Sequence, residues 1–139
     1  MENRDLHLLA LRGETIGTIT PNSSHEEVFQ NRTLRPILKA QNNLFLVVFI
    51  NYAIHQKNVF FGLTPEKKIL YIENAIQRDI KFRNSLKGMV IGFFTIEEYK
   101  DYVENSSNLN KRMMTMLAER LTSQILLLEI DGLVNKVTV

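Results

Sequence analysis

The stretch Arg78-Asp79-Ile80-Lys81-Phe82-Arg83-Asn84-Ser85-Leu86-Lys87-Gly88 decides how the middle of this chain folds. Residues at helical spacing run through it as Ile69, Ile72, Ile76, Ile80, Arg83, Leu86 and Val90, with Arg83 standing in an otherwise apolar line. A charge in such a line needs a partner or an opening to solvent, because an unpaired buried charge is very costly. Asp79, four residues earlier on the same face, is the expected partner. Arg83 is then either a paired structural residue or the floor of an anion-binding pocket.

Upstream, Thr64-Pro65-Glu66-Lys67 opens this helix, with Thr64 as cap and Pro65 at the first helical position. The helix is expected to reach about Phe94, weakened at Gly88 and Gly92. Ser24 followed by Glu27 matches the capping-box pattern, so a first helix is expected over residues 25–34. Pro36 lacks an amide and clashes with the preceding turn, which forces a kink or a restart. A second helix follows to about Gln56, with Ile37, Leu38, Leu44, Phe45, Val48, Phe49 and Tyr52 on its apolar side and Gln41 as a polar member of that line. Thr95 and Glu98 repeat the capping box ahead of a short helix over residues 96–104. Asn105-Ser106-Ser107 then caps a last long helix carrying Leu109, Met113, Met116, Leu117, Leu121, Ile125 and Leu128.

These signals predict an all-α fold, a bundle of four to five amphipathic helices in one domain spanning residues 1–139. Residues 1–22 read as an irregular lead-in in which 6–11 form either a short helix or a strand. Residues 24–128 form the helical body and 129–139 a tail. Asp131-Gly132 between apolar runs is a hairpin signal, leaving open a short terminal β-hairpin or a frayed end.

At 139 residues the chain is long enough to bury a core without staples, and 45% hydrophobic with 23% charged residues fits a globular domain. The absence of cysteine excludes disulfides, thiolate metal sites, iron–sulfur clusters and cysteine nucleophiles. A net charge of +2 is too small by itself to imply a nucleic-acid partner. No signal-peptide pattern stands at the N-terminus, and the most apolar run, residues 44–50, is far short of a membrane span. The expectation is a cytoplasmic protein with no membrane association.

Few residues group into catalytic patterns. His7, His25 and His55 are scattered without the three- or four-residue spacing that pairs metal ligands on a helix, so no metal site or cofactor is expected. No Gly-x-Ser-x-Gly elbow and no phosphate-binding glycine loop occurs. The carboxylate pairs Glu26/Glu27 and Glu97/Glu98 fall in first helical turns, where they complement the macrodipole. Phe45, Phe49 and Tyr52 keep core periodicity, and the methionines read as core filler or an adaptable surface.

The basic clusters carry the remaining signal. Arg32, Arg35 and Lys39 are spaced to share one side of the kinked first helical region. Arg78, Lys81, Arg83 and Lys87 form a second group. Lys111 and Arg112 lie in an early turn of the last helix, where free amides and the macrodipole favour an anion. The alternative is a solvated face with weak intrahelical pairs.

The segments Phe29-Gln30-Asn31-Arg32-Thr33-Leu34-Arg35-Pro36-Ile37-Leu38-Lys39, residues 79–88 and Leu109-Asn110-Lys111-Arg112-Met113 resemble a group of short, uncharacterised helical bacterial proteins, some labelled "glyoxalase". The resemblance covers most of residues 24–128 and implies a helical fold. The label implies a metal-dependent lyase, although the group supplies no active-site motif from which catalytic residues could be carried over. The functional expectation is a non-catalytic cytoplasmic binding or interaction module, self-association being open. A small anionic ligand would be held by Arg32, Arg35, Lys39, Gln41, Asp79, Arg83, Lys87, Lys111 and Arg112. The alternatives are the lyase and a weak nucleic-acid binder.

Overall fold

The computed structural model describes residues 2–130, and every regular element among them is helical. The elements are α1 (Asn3–Arg12), α2 (His25–Phe29), α3 (Arg35–Ala40), α4 (Asn42–His55), α5 (Pro65–Arg78), α6 (Ile80–Ile91), α7 (Ile96–Val103) and α8 (Ser106–Ser123). A π turn, Gln30–Leu34, joins α2 to α3. The all-α expectation holds, but there are more segments than the four or five expected. No strand forms among the described residues, and the Asp131-Gly132 signal lies outside them.

The predicted caps explain three of the eight helix starts among the described residues, while Asn105 before α8 forms no side-chain cap bond. Ser24 Oγ accepts the Glu27 amide at 3.2 Å and Thr64 Oγ1 the Lys67 amide at 3.4 Å. Thr95 and Glu98 form the full reciprocal box at 3.2 and 2.8 Å. Each such cap satisfies amides that a helix start leaves without partners.

The expected 64–94 helix is instead two. Asp79 adopts an extended backbone (φ −82°, ψ 98°), ends α5 and caps α6 by accepting the Phe82 amide at 3.2 Å. Its other carboxylate oxygen accepts the Tyr52 hydroxyl of α4 at 2.8 Å. This break shifts the helical phase. Phe82, not Ile80 or Arg83, enters the core beside Leu86 and Val90, and Ile80 is left 71% exposed. Arg83 is half-buried, its one polar contact a 3.5 Å approach to the Gln77 carbonyl, and no Asp79–Arg83 ion pair forms.

Gln41 also lies at a break. The run His25–Ala40 bends by 64° into α4 there, so Gln41 is a half-buried bend residue and not a member of a core line. No single helix among the described residues is long and apolar enough to cross a membrane.

The core is built around Phe49, whose ring meets Phe60 at 5.0 Å, Tyr71 at 6.3 Å and Phe82 at 6.2 Å. Tyr52 stacks on Phe82 at 3.9 Å, placing its hydroxyl at the Asp79 cap. Leu109, Met113, Met114, Leu117 and Leu121 of α8 close the other side, and all are buried. Beyond Ser123 the helix gives way to a 3-10 turn, Ile125–Leu127, that still buries Leu128.

In the lead-in, the helix alternative for residues 6–11 holds and extends over 3–12. The two buried residues of α1 are both charged, Asp5 and Arg12. Residues 13–24 cross the π turn at close range. Gly17 has φ +100°, which strains any side chain there, and a Cβ would stand 2.9 Å from the Asn31 side chain and force it to shift.

The Asp79 junction generates a test by chemical denaturation. Asp79→Ala removes both the cap and the tyrosine acceptor and is expected to lower stability by about 1–3 kcal/mol. Tyr52→Phe should cost about 1 kcal/mol. Arg83→Met should change stability by only about 0.5 kcal/mol. A larger loss for Arg83→Met than for Asp79→Ala would contradict this account of the break.

Candidate functional site

The most buried polar cluster centres on Arg12. Its Nη1 and Nη2 donate to Glu98 Oε1 and Oε2 at 2.6 and 2.8 Å, a bidentate pair with side-chain exposures of 2% and 16%. Glu98 Oε2 also accepts the buried Thr33 hydroxyl at 2.7 Å, while Oε1 takes the Thr95 amide. Burial pushes the Glu98 carboxyl up. The hydrogen bonds from Arg12, the Thr95 amide and Thr33, with the Arg12 charge, outweigh it and bring the carboxyl below its ordinary value.

Arg12 also serves the backbone. It donates to the Phe93 carbonyl at 3.2 Å and the Arg32 carbonyl at 3.3 Å. The second contact follows from Pro36, which has no amide to return to a carbonyl one turn back. At α spacing that carbonyl is Arg32, and at π spacing it is Asn31. The Asn31 carbonyl receives the Ile16 amide at 2.9 Å. Both acceptors are thus filled by the lead-in.

Two clefts flank this cluster and share Arg32 and Glu98 on their walls. One, of about 550 Å³, lies between α2 and α7 and carries His25, Phe29, Lys100 and Asp101. His25 Nε2 and Asp101 Oδ1 already meet across it at 2.9 Å. The other, of about 500 Å³, is bounded by Leu9, Gly13, Glu14 and Thr15. Because Glu98 is committed to Arg12, Thr33 and Thr95, it is a structural carboxylate and not a free acid or base.

A third cleft, of about 340 Å³, has a different character. Arg35 and Leu38 of α3 face Met116, Glu119, Arg120 and Ser123 of α8, with Gln124 at the end. Spacings of three and four residues put the α8 group on one helix face. Arg35 is exposed and Arg120 half-buried, and neither guanidinium forms an ion pair among the described residues. Burial first, and then the nearby charge of Arg35, pulls the Arg120 guanidinium below its ordinary value.

Arg120 is held from behind. Asn42 and Gln124 exchange amide hydrogen bonds in both directions at 2.7 Å. Asn42 Oδ1 accepts from Arg120 Nη1 at 3.3 Å, and the Arg120 carbonyl accepts from Gln124 Nε2 at 3.0 Å and Ser123 Oγ at 2.8 Å. The cleft can therefore present a positioned guanidinium to an acceptor, with Arg35 opposite.

Of the residues expected to bind an anion, Arg35 shares a cleft with Arg120, Arg32 shares one with Lys100 and another with Arg12, and Lys39 shares one with Arg12, whose guanidinium is already paired with Glu98. Arg32, Arg35 and Lys39 do not share one side. They open on separate clefts, with Lys39 in a fourth beside Leu11, Gly13 and Ala40. Arg112 donates to Gln30 Oε1 at 2.8 Å, tying α8 to the π turn, and Lys111 is exposed. Lys87 is half-buried on α6, Asp79 is a helix cap and Gln41 a bend residue, and no side-chain hydrogen bond links Arg83, Asp79 and Gln41. Arg120 went unselected because its signal is tertiary: one arginine near the end of α8 acquires meaning only when α3 lies opposite.

Among the described residues, no group of three or more His, Cys, Asp and Glu side chains could hold a metal ion, so the lyase alternative finds no ligand set there. No family model, curated protein or solved structure matches the chain.

The Arg12–Glu98 pair carries a measurable prediction. Glu98→Gln leaves a buried guanidinium short of its counter-charge, and Arg12→Met leaves the carboxylate, so each should cost about 3–5 kcal/mol in urea denaturation. The double variant should cost less than the sum. Because the folded carboxyl lies below its unfolded value, its contribution is present above the ordinary glutamate range and is lost as pH falls through the folded value. Stability should therefore drop on acidification from about pH 5, less steeply in the double variant. Equal slopes would remove Glu98 from this role.

Proposed function

We propose that this chain is a non-catalytic helical binding module that takes a small anion between Arg35 and Arg120. The observation that carries the reading is the convergence of two guanidiniums, from α3 and α8, on one cleft where neither has a carboxylate ion partner among the described residues. Glu119 also lines the cleft but pairs with neither guanidinium, so a bound anion can convert their mutual repulsion into charge-assisted hydrogen bonds. Guanidinium forks suit planar or tetrahedral oxyanions, so phosphate and carboxylate groups fit the chemistry. The amide pair behind Arg120 supports the same reading, because a group held in place before binding loses less entropy on binding.

Isothermal titration with inorganic phosphate and pyrophosphate tests it. The unaltered chain should bind at least one of them. Arg35→Gln, on an exposed side chain, should weaken binding by about tenfold or more, the equivalent of one charge-assisted hydrogen bond at about 1.5–3 kcal/mol. Arg120→Gln should act similarly, and Lys111→Gln should leave binding unchanged. Equal loss from Lys111→Gln would indicate diffuse surface charge in place of a site.

A further inference from the structure

Resting on that anion site, we infer that its ligand is a small phosphate monoester carrying a protonated amine on a short alkyl arm. The cleft holds three unpaired charges, not two. Glu119 lines it beside Arg35 and Arg120, and its carboxylate has no hydrogen bond or ion pair among the described residues. All three side chains line one 340 Å³ cleft, and the exposed Glu119 carboxylate makes no ion pair with either arginine.

Two positive groups and one negative group are complementary to a ligand of opposite pattern. A phosphate monoester carries about −1.5 to −2 at neutral pH, matching the two guanidiniums. An ammonium on the same molecule would answer Glu119. A simple polyanion is disfavoured, since Glu119 repels it.

The charge of Glu119 argues for an amine over a neutral hydroxylated arm, because only a cation compensates a carboxylate brought beside a bound phosphate. The Ser123 hydroxyl is given to the Arg120 carbonyl, and both ends of the Gln124 amide are engaged by Asn42. The Ser123 oxygen can still accept from a ligand, and the apolar surface of Leu38 and Met116 suits a short hydrocarbon spacer. The volume is at the small end for ligand clefts and fits a molecule of this size.

Calorimetric titration of the full chain at pH 7.5 with inorganic phosphate, ethyl phosphate and phosphoethanolamine separates the possibilities. Phosphoethanolamine should bind about fivefold tighter than ethyl phosphate, the scale of one partly solvated ion pair. Glu119→Gln should erase that preference while leaving ethyl phosphate bound at least as tightly. Arg35→Gln should weaken both compounds by about tenfold. Binding of ethyl phosphate and phosphoethanolamine with equal affinity would overturn the amine arm while the anion site stands. Failure of all three compounds to bind would overturn the anion site itself. Retention on phosphatidylethanolamine vesicles that free phosphoethanolamine does not compete away would overturn the assignment to a free monoester in favour of a lipid headgroup.

Discussion

The fold depends on how α1 satisfies the backbone where α6 turns into α7. After α6 ends, the carbonyls of Gly92, Phe93 and Phe94 point away from any following helical amide. Arg4 takes the first and third at 2.9 Å, and Arg12 takes the second at 3.2 Å. On the other side of the turn, Asp5 accepts the Ile96 amide at 3.3 Å and Glu98 accepts that of Thr95 at 2.8 Å. Positive groups meet the carbonyl end of one helix and negative groups the amide end of the next, as the macrodipoles require. The Arg12–Glu98 pair links the two halves, so loss of either charge disturbs both helix ends.

The same guanidinium connects this turn to the opposite wall. Proline in the α2–α3 rod leaves a carbonyl without its usual amide, and Arg12 fills that vacancy while still gripping Glu98. α1, the π turn and the α6–α7 turn are therefore one construction. The Arg35–Arg120 cleft stands apart from it, on the far part of the rod. There Arg120 is supported by the Asn42–Gln124 amide pair rather than by a counter-charge.

Much of the fold was legible because its signals are local. Ser24, Thr64 and Thr95 cap where their spacing to the following residues says they should, and Pro65 starts α5 as its fixed φ allows. Asp79 was misread because the pattern Ile76, Ile80, Arg83 continues helical spacing across it. The residue that breaks the helix finds its second partner in Tyr52, 27 positions away. The sequence leaves α1 open between helix and strand for a related reason. A helix whose buried residues are an aspartate and an arginine shows no apolar stripe, and its stabilising partners lie some 80 to 90 residues downstream. Of the candidate site, Arg35 could be selected as a basic residue, but its pairing with Arg120 needed the bend at Gln41 that sets α4 and its Asn42 against α8.

The position of α1 has a consequence for how the protein is made. A chain synthesised from its N-terminus presents Arg12 to solvent long before Glu98, 86 residues later, exists. What α1 must leave uncovered in that interval includes two charges that are buried at the end, and water solvates charges well. An apolar stripe in the same place would be exposed for as long and would invite association between unfinished chains. Ionic docking of α1 to a turn built some 80 to 90 residues later thus makes this segment tolerant of waiting, and Arg12 is neutralised once α7 has been made.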